Sequence, residues 1–330
     1  MIRATLIIQP GMKRVKNVGN HMIRPEAPIM ATPQKTATSR RSTATAVMLV
    51  VAVGVLMQSG SAVAVLVIGS VGVVQAVWLR TVFAAVLLAA FRPRSARLPA
   101  AGNRLLVAGL AATLMAMNFS FYVAISHAPV GIVVAIEFLG PLTVAVIGTR
   151  RLLDVAWIVL AAAGVALLAG PASSVSVLGL VFALIAAACW ATFILVAKAC
   201  VSRMEPLNVT TLILIGSSVV LTPVLLARGV RILGHGHAIL LGLLVAILSS
   251  ALPYFLELAA IQRVQTSTYG VLLSIEPAIA AFMGFVILSQ RLGIREIGAM
   301  VAIMLAAAGA SWSSASGGRD GQRAAPELGA

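Results

Sequence analysis

Long apolar stretches separated by short polar loops recur along almost the whole chain. Each is about 20 residues long, the length of helix that crosses a hydrocarbon core about 30 Å thick. Glycine, proline and charged residues mark their ends. The pattern predicts about ten transmembrane helices. They cover residues 46–67, 73–91, 105–125, 132–148 and 155–169, and then 178–197, 209–227, 239–261, 270–288 and 297–313.

Composition agrees with a chain that is surrounded by lipid. Of the 330 residues, 60% are hydrophobic and only 10% are charged, whereas a soluble domain has about 25% charged residues. The recurrent spans leave no room for a separate soluble domain. We therefore predict an all-α fold, a polytopic membrane protein embedded as one helical bundle.

The net charge of +15 follows membrane topology. Basic residues are scattered over short loops and a tail, without the aromatic-interleaved patch typical of nucleic-acid binding, so no nucleic-acid partner is predicted. Most of the 24 Lys and Arg residues fall on one side of the predicted bundle. The other side holds Arg228, Arg231, Arg291 and Arg295. The positive-inside rule then places both termini in the cytoplasm.

The ends of the chain are polar. Residues 1–43 are basic and rich in Pro, Ser and Thr, without an apolar segment. This composition predicts a disordered cytoplasmic tail and not a signal peptide. Residues 315–330 are predicted to form a C-terminal cytoplasmic tail.

The two halves of the chain resemble each other weakly. The stretch from Ala124 through Pro141 to Gly148 aligns, at one constant spacing, with a second stretch from Ala260 to Gly284. Each half has five predicted helices, an odd number, so the second half must be inserted upside down. We predict two inverted five-helix repeats, residues 44–170 and 171–314, as many alternating-access transporters have.

Four charged residues fall inside predicted spans: Arg80, Glu137, Glu257 and Glu276. Each costs about 2.5 to 3.5 kcal/mol at a helix centre unless it is paired, protonated or hydrated. We expect them to converge on a polar cavity. Three acids exceed one base, so at least one carboxyl group is protonated or pairs with a cationic substrate. Arg80 either forms a structural ion pair or binds a substrate carboxylate with its planar fork.

Prolines are predicted to break three of the helices near the same depth. A proline cannot donate to the carbonyl four residues earlier, so it frees the carbonyls of Glu137, Ser249 and Leu273. Transporters often bind substrates at such breaks. The prolines are Pro141, Pro253 and Pro277.

Polar side chains also share helical faces, as expected for cavity walls. They are Asn118, Tyr122 and Ser126 on the third helix, and Ser250, Tyr254 and Glu257 on the eighth.

Signatures of enzymes and cofactors are missing from the sequence. Neither H-E-x-x-H nor G-x-S-x-G occurs, and Asp154 and Asp320 lie outside the predicted core. His235 and His237 supply two ligands without a nearby carboxylate, so no metal site is predicted. We expect neither an enzyme nor a cofactor.

Five strings then indicate a family. They are AIEFLGP (135–141), TRRLLD (149–154), ACWATFIL (188–195), AILSSALPYFLELAAI (246–261) and QTSTYGVLLSIEPAIAA (265–281). In this order they resemble the drug/metabolite transporter superfamily of EamA type, and most closely the threonine/homoserine exporters. The resemblance covers residues 46 to about 313.

The resemblance implies a bacterial inner-membrane secondary transporter of twofold pseudosymmetry. Its implied activity is export of small polar metabolites, above all amino acids such as threonine and homoserine, by proton antiport. Matching positions make Arg80, Glu137, Glu257, Glu276 and Pro277 candidate binding or proton-coupling residues.

One motif departs from the family. After the ninth span relatives usually have a Gly-Glu pair, where this chain has Ser289 and Gln290. This chain therefore has no acid at that point that could act in proton entry.

The alternative function is a facilitator or importer of another small solute, such as a toxic cation, because one scaffold serves many solutes in this superfamily. The predicted partners are a small-molecule substrate, protons and membrane lipids. Small-residue faces such as Gly298–Ala302 permit a homodimer without requiring one.

Overall fold

The computed structural model describes residues 36–149, 152–169, 175–232, 234–253, 256 and 272–323. Within these ranges every regular element is helical. The predicted site residues Tyr254 and Glu257 lie outside the described residues.

The first half contains α1 (Thr36–Val71), α2 (Val73–Phe91), a 3-10 turn (Pro93–Ala96), α3 (Ala101–Ile125), α4 (Val130–Glu137), α5 (Leu139–Thr149) and α6 (Leu152–Leu168). The second half contains α7 (Val177–Val201), α8 (Pro206–Arg228), α9 (Gly236–Ala246), a π-helical turn (Ile247–Ala251), α10 (Glu276–Leu288) and α11 (Ile294–Arg323).

The described helices account for the ten predicted spans. Six are long and apolar enough to cross a membrane, and four shorter apolar segments supply the rest. The shorter segments are Val130–Val144, Val155–Leu168, Gly236–Ala251 and Glu276–Leu288. The prediction of an all-α, ten-helix membrane bundle is confirmed.

The outermost helices are longer than their hydropathy suggests. α1 begins at Thr36, inside the segment predicted as a tail, and α11 continues to Arg323. Hydropathy marks only the part of a helix that lies in lipid, whereas the backbone hydrogen bonds of a helix can continue into water.

Helix packing follows the twofold pattern of the repeat. α1 packs against α10 and α9, while its counterpart α7 packs against α4, α5 and α3. α2 packs on its own counterpart α8, and α6 packs on α11. A pseudo-twofold axis that exchanges the two halves produces this set of neighbours.

The largest buried apolar cluster closes one end of the bundle. We call this the Gly72 end, since Gly72 turns the chain from α1 to α2 there. Val67, Val71 and Val130 are at most 1% exposed in this cluster. At the same end α4 meets α10 so closely that a Cβ added at Gly131 would lie 2.6 Å from the Ala281 Cα. Packed apolar side chains therefore lie between this end and the polar residues in the middle of the bundle.

Ser289 and Gln290, which follow the ninth span, have a specific local structure. Ser289 ends α10 in the left-handed region, with φ of 55°, which glycine tolerates best. Gln290 Oε1 accepts a hydrogen bond from the Val130 N–H at the start of α4, at 3.1 Å. An amide thus caps α4 without a charge.

We expect the Ser289→Gly substitution to stabilise the protein. Removing the Cβ relieves the left-handed strain, which outweighs the greater freedom of glycine in the unfolded chain by about 0.5 to 1 kcal/mol. Thermal unfolding in detergent should shift upward by about 1 to 2 °C. Ser202, which ends α7 in a right-handed conformation, is the matched control: Ser202→Gly should not raise the midpoint, and an equal rise would contradict the strain at Ser289.

Candidate functional site

A cavity of about 280 Å³ lies where the helix interruptions meet. It is bounded by side chains from both halves of the chain. The polar lining residues are Gln58, Ser61, Arg80, Asn118, Glu137, Ser249 and Glu276, and the aromatic ones are Phe121, Phe138, Trp190 and Phe193. Arg80, Glu137 and Glu276, three of the four charged residues predicted within spans, therefore line one cavity.

Arg80 joins α2 to both halves of the bundle. Its Nη1 donates to the Asn118 Oδ1 on α3 at 3.0 Å, and its Nη2 donates to the Ser249 carbonyl at 3.4 Å. Its Nε lies 3.5 Å from the Ser250 Oγ. The guanidinium also stands over the Tyr122 ring, 5.8 Å from the centroid, a cation–π arrangement. The side chain is thus fixed by neutral groups.

The Ser249 carbonyl, which accepts a hydrogen bond from Arg80, is one that a proline leaves without its usual helical donor. Pro253 has no N–H to donate to Ser249, four residues earlier in the chain. A π-helical turn, Ile247–Ala251, occupies this point in the structure, and Arg80 supplies the missing donor. The proline therefore creates an acceptor for the arginine.

No described carboxylate lies within 4.0 Å of the Arg80 guanidinium; the described salt bridge joins Arg92 and Glu205 at the surface. Arginine has five N–H donors. Three are used by Asn118, Ser249 and Ser250. One N–H on each terminal nitrogen remains without a partner among the described residues, and two such groups match the two oxygens of a carboxylate.

Glu137 lies at the interruption of the fourth span. α4 ends at Glu137 and α5 begins at Leu139, close to Pro141. Glu137 is half-buried and lines the cavity, and no described side chain pairs with its carboxylate. It is therefore accessible to a molecule in the cavity.

The wall next to Glu137 is tightly packed. Phe138 meets Trp190 of α7 edge to face, with ring centroids 5.2 Å apart. A Cβ added at Gly140 would lie 2.5 Å from the Ala187 carbonyl oxygen. The interrupted span is thus held against α7, which fixes the position of Glu137.

Glu276 is the first residue of α10 and is 8% exposed. Pro277 follows it in the first turn of the helix, a position that proline favours. The Gln58 Nε2 of α1 donates to the Glu276 Oε2 at 3.3 Å. Glu276 is thus held by an amide from the other half of the chain.

Three polar lining residues were not among the predicted site residues: Gln58, Ser61 and Ser249. Gln58 is a lone amide in the apolar helix α1 and is 4% exposed. Burying an amide among apolar side chains is costly, and this cost is the sequence signal that could have identified Gln58 as a site residue. Ser249 contributes its carbonyl, for which only the position of Pro253 gave a signal. Tyr122 is buried beneath Arg80, whereas Ser126 is exposed at the Gly72 end.

In the part of the chain that the structure describes, no group of three or more His, Cys, Asp or Glu side chains could hold a metal ion.

The chain has ten apolar segments in two related halves, and the interruptions of these segments surround a cavity that contains an arginine and two glutamates. This arrangement defines a multi-pass membrane transporter. The chain belongs to the EamA-like transporter family, whose model matches residues 177–312. The resemblance to the EamA-type transporters that the sequence indicated is thereby confirmed, and so is the expectation that the protein is not an enzyme.

The relatives are bacterial. The chain is 39% identical to the threonine/homoserine exporter RhtA of Escherichia coli (strain K12) over 229 residues, which cover 68% of this chain and 77% of that protein. RhtA of Salmonella typhimurium (strain LT2) is 38% identical with the same coverage. A crystal structure with 16% sequence identity superposes with a TM-score of 0.58, covering 81% of this chain and 96% of its own, and supports the fold alone.

Family and relatives support a small-metabolite exporter in a bacterial inner membrane.

Proposed function

We propose that the protein exports threonine, homoserine and similar small amino acids from the cytoplasm in exchange for protons. The observation that carries the proposal is the arrangement of charge in the cavity. Arg80 has two N–H groups without an acceptor among the described residues, and Glu137 presents a carboxylate without a described partner. An amino-acid zwitterion has the complementary charges.

Arg80 is the proposed site for the α-carboxylate. Asn118 and the Ser249 carbonyl hold the guanidinium in place, so little side-chain entropy is lost when a carboxylate binds. Charge-assisted bonds of this bidentate kind are about twice as strong as neutral ones.

Glu137 is the proposed site for the α-ammonium. Because a carboxylate can hold either a proton or an ammonium group, entry of a proton competes with the bound substrate and releases it. A proton moving through 100 mV supplies about 2.3 kcal/mol, nearly a fiftyfold concentration ratio. This is sufficient drive for an exporter.

The size of the cavity favours a small substrate. Its volume of about 280 Å³ is just below the range of about 300 to 1,000 Å³ that is usual for drug-sized ligands. The distribution of basic residues supports a topology with both termini in the cytoplasm, which makes the packed apolar Gly72 end external.

The direct test is efflux of labelled threonine from proteoliposomes that contain the full-length protein. We expect efflux above that of empty liposomes, and faster efflux when the outside is more acidic than the inside. Absence of flux from folded, inserted protein would eliminate threonine as a substrate.

An organic cation is the competing substrate class, because Glu137 and Glu276 outnumber Arg80 in the cavity. If a permanent organic cation such as tetraphenylphosphonium competed with threonine as strongly as homoserine does, an amino-acid site would be contradicted.

We expect the Gly60→Ala substitution to slow threonine transport about tenfold, since misplacing a binding group by a fraction of an ångström is costly. The added Cβ would overlap the Ser249 Oγ and approach the Leu248 Cβ to 3.1 Å. The π-helical turn must then move, and the Ser249 carbonyl moves away from Arg80.

The control for Gly60 is Gly69 on the same helix, where an added Cβ meets nothing within 4 Å. Gly69→Ala should transport at the wild-type rate. Adding Ser249→Gly to Gly60→Ala should restore part of the rate; no recovery would argue against the steric cause.

A further inference from the structure

We propose that Gln58 determines substrate specificity: its Oε1 accepts a hydrogen bond from the side-chain hydroxyl of the substrate. This inference rests on the proposed export of small amino acids. It predicts that the protein favours hydroxylated amino acids over isosteres that lack the hydroxyl group.

The amide of Gln58 has one satisfied end and one unsatisfied end. Its Nε2 donates to the Glu276 Oε2 at 3.3 Å, the orientation that a carboxylate acceptor favours. Its Oε1 is buried and has no hydrogen-bond partner among the residues that the structure describes. The residue is 4% exposed and lines the cavity, so a donor in the cavity reaches this oxygen once the amide rotates slightly toward it.

The packing of α1 holds this amide in place. A Cβ added at Gly54, one turn before Gln58, would lie 3.6 Å from the Glu276 Cγ and 3.0 Å from the Ile279 Cδ1. Gly60 lies directly against Ser249 on the other side. These glycines bring the α1 backbone close to Glu276 and the π-helical turn, so Gln58 is held beside the cavity.

A hydroxyl is the donor that this oxygen suits. In the proposed binding mode Arg80 holds the α-carboxylate and Glu137 holds the α-ammonium, which leaves the side chain as the third group of the substrate. A neutral amide oxygen competes poorly with carboxylates for an ammonium group. It does accept from a hydroxyl, and a substrate without that donor leaves the buried oxygen unpaired.

The expected effect is a loss of discrimination. A site built to bond a substrate hydroxyl rejects the analogue without it strongly. One unpaired amide oxygen corresponds to a factor of about 10 to 100 in relative affinity. Valine has a methyl group in place of the threonine hydroxyl, and norvaline has one in place of the homoserine hydroxyl.

The experiment measures counterflow of labelled threonine in proteoliposomes that contain the full-length protein, with unlabelled threonine, valine, homoserine and norvaline as competitors. The wild type should prefer the hydroxylated partner in both pairs. Gln58→Met, which removes the acceptor at similar volume, should reduce both preferences about 10- to 100-fold. Size-exclusion chromatography shows whether the variant is folded.

The control variant is Ser61→Ala. Ser61 lines the same cavity from α1, but its hydroxyl donates to the Met57 carbonyl at 3.0 Å. The preference for hydroxylated substrates should survive this change. If Gln58→Met did not fold, Gln58→Asn would serve, because it withdraws the same amide by one methylene and should also reduce the preference.

The outcomes separate this inference from the proposed function. No threonine counterflow by the wild type would overturn both. Threonine counterflow with equal preference for valine, or a preference that Gln58→Met leaves unchanged, would overturn only the role of Gln58.

Discussion

Replacement of Arg80 by lysine is expected to lower threonine efflux at least about 100-fold, although the positive charge is kept. The arginine fork donates at once to Asn118 and the Ser249 carbonyl, and keeps two further N–H groups for a carboxylate. A lysine ammonium has three donors on one nitrogen and cannot occupy both positions. Initial rates of efflux, measured over a range of threonine concentrations, would show the loss.

The matched control for this change is Arg92→Lys. Arg92 pairs with Glu205 at the surface, where both side chains are about half exposed, and such pairs contribute about 0 to 1 kcal/mol. Efflux should remain near the wild-type rate in this variant. If Arg80→Lys kept the wild-type KM for threonine, Arg80 could not be the carboxylate site.

Hydropathy predicted the bundle because membrane insertion imposes the same rule on every span. A helix must satisfy its own backbone hydrogen bonds in lipid and must be long enough to cross it. The start of α1 at Thr36 and the end of α11 at Arg323 were not predicted. Those segments extend beyond the apolar window, where hydropathy no longer reports helix.

The polar groups of the cavity were predictable for the same reason, since charges in lipid are costly and must meet. Their partners were not. Helical periodicity places Asn118 and Tyr122 on one face, but it does not place that face beneath Arg80 of another helix. The contact between Gln58 and Glu276 joins residues 218 positions apart, which only the folded bundle reveals.

The position of Pro253 is an intermediate case. The rule that proline frees the carbonyl four residues earlier singled out Ser249, without showing which donor would reach it. The structure supplies Arg80. Local backbone chemistry thus indicated the acceptor of this hydrogen bond, the Ser249 carbonyl, and tertiary packing determined its donor, Arg80.

Glu137→Gln is expected to abolish the stimulation of efflux by a pH gradient. The amide cannot carry a proton, so substrate release no longer depends on one. Threonine counterflow without a gradient should persist, with KM raised about 10- to 100-fold because a charge-assisted bond to the ammonium is lost. The decisive measurement is the ratio of efflux rates with and without the gradient, which should fall to one.

The same substitution should remove the pH dependence of binding. In the wild type a proton and the substrate ammonium compete for Glu137, so the apparent KM for threonine should rise as the pH falls; in Glu137→Gln it should stay constant.

Glu276→Gln is the comparison within the cavity, and a smaller loss of gradient stimulation is expected there, because Gln58 already occupies an oxygen of that carboxylate. Glu205→Gln, at the surface, should behave as the wild type. Undiminished gradient stimulation in Glu137→Gln would assign the proton to a different group, since a side chain that cannot titrate cannot carry it.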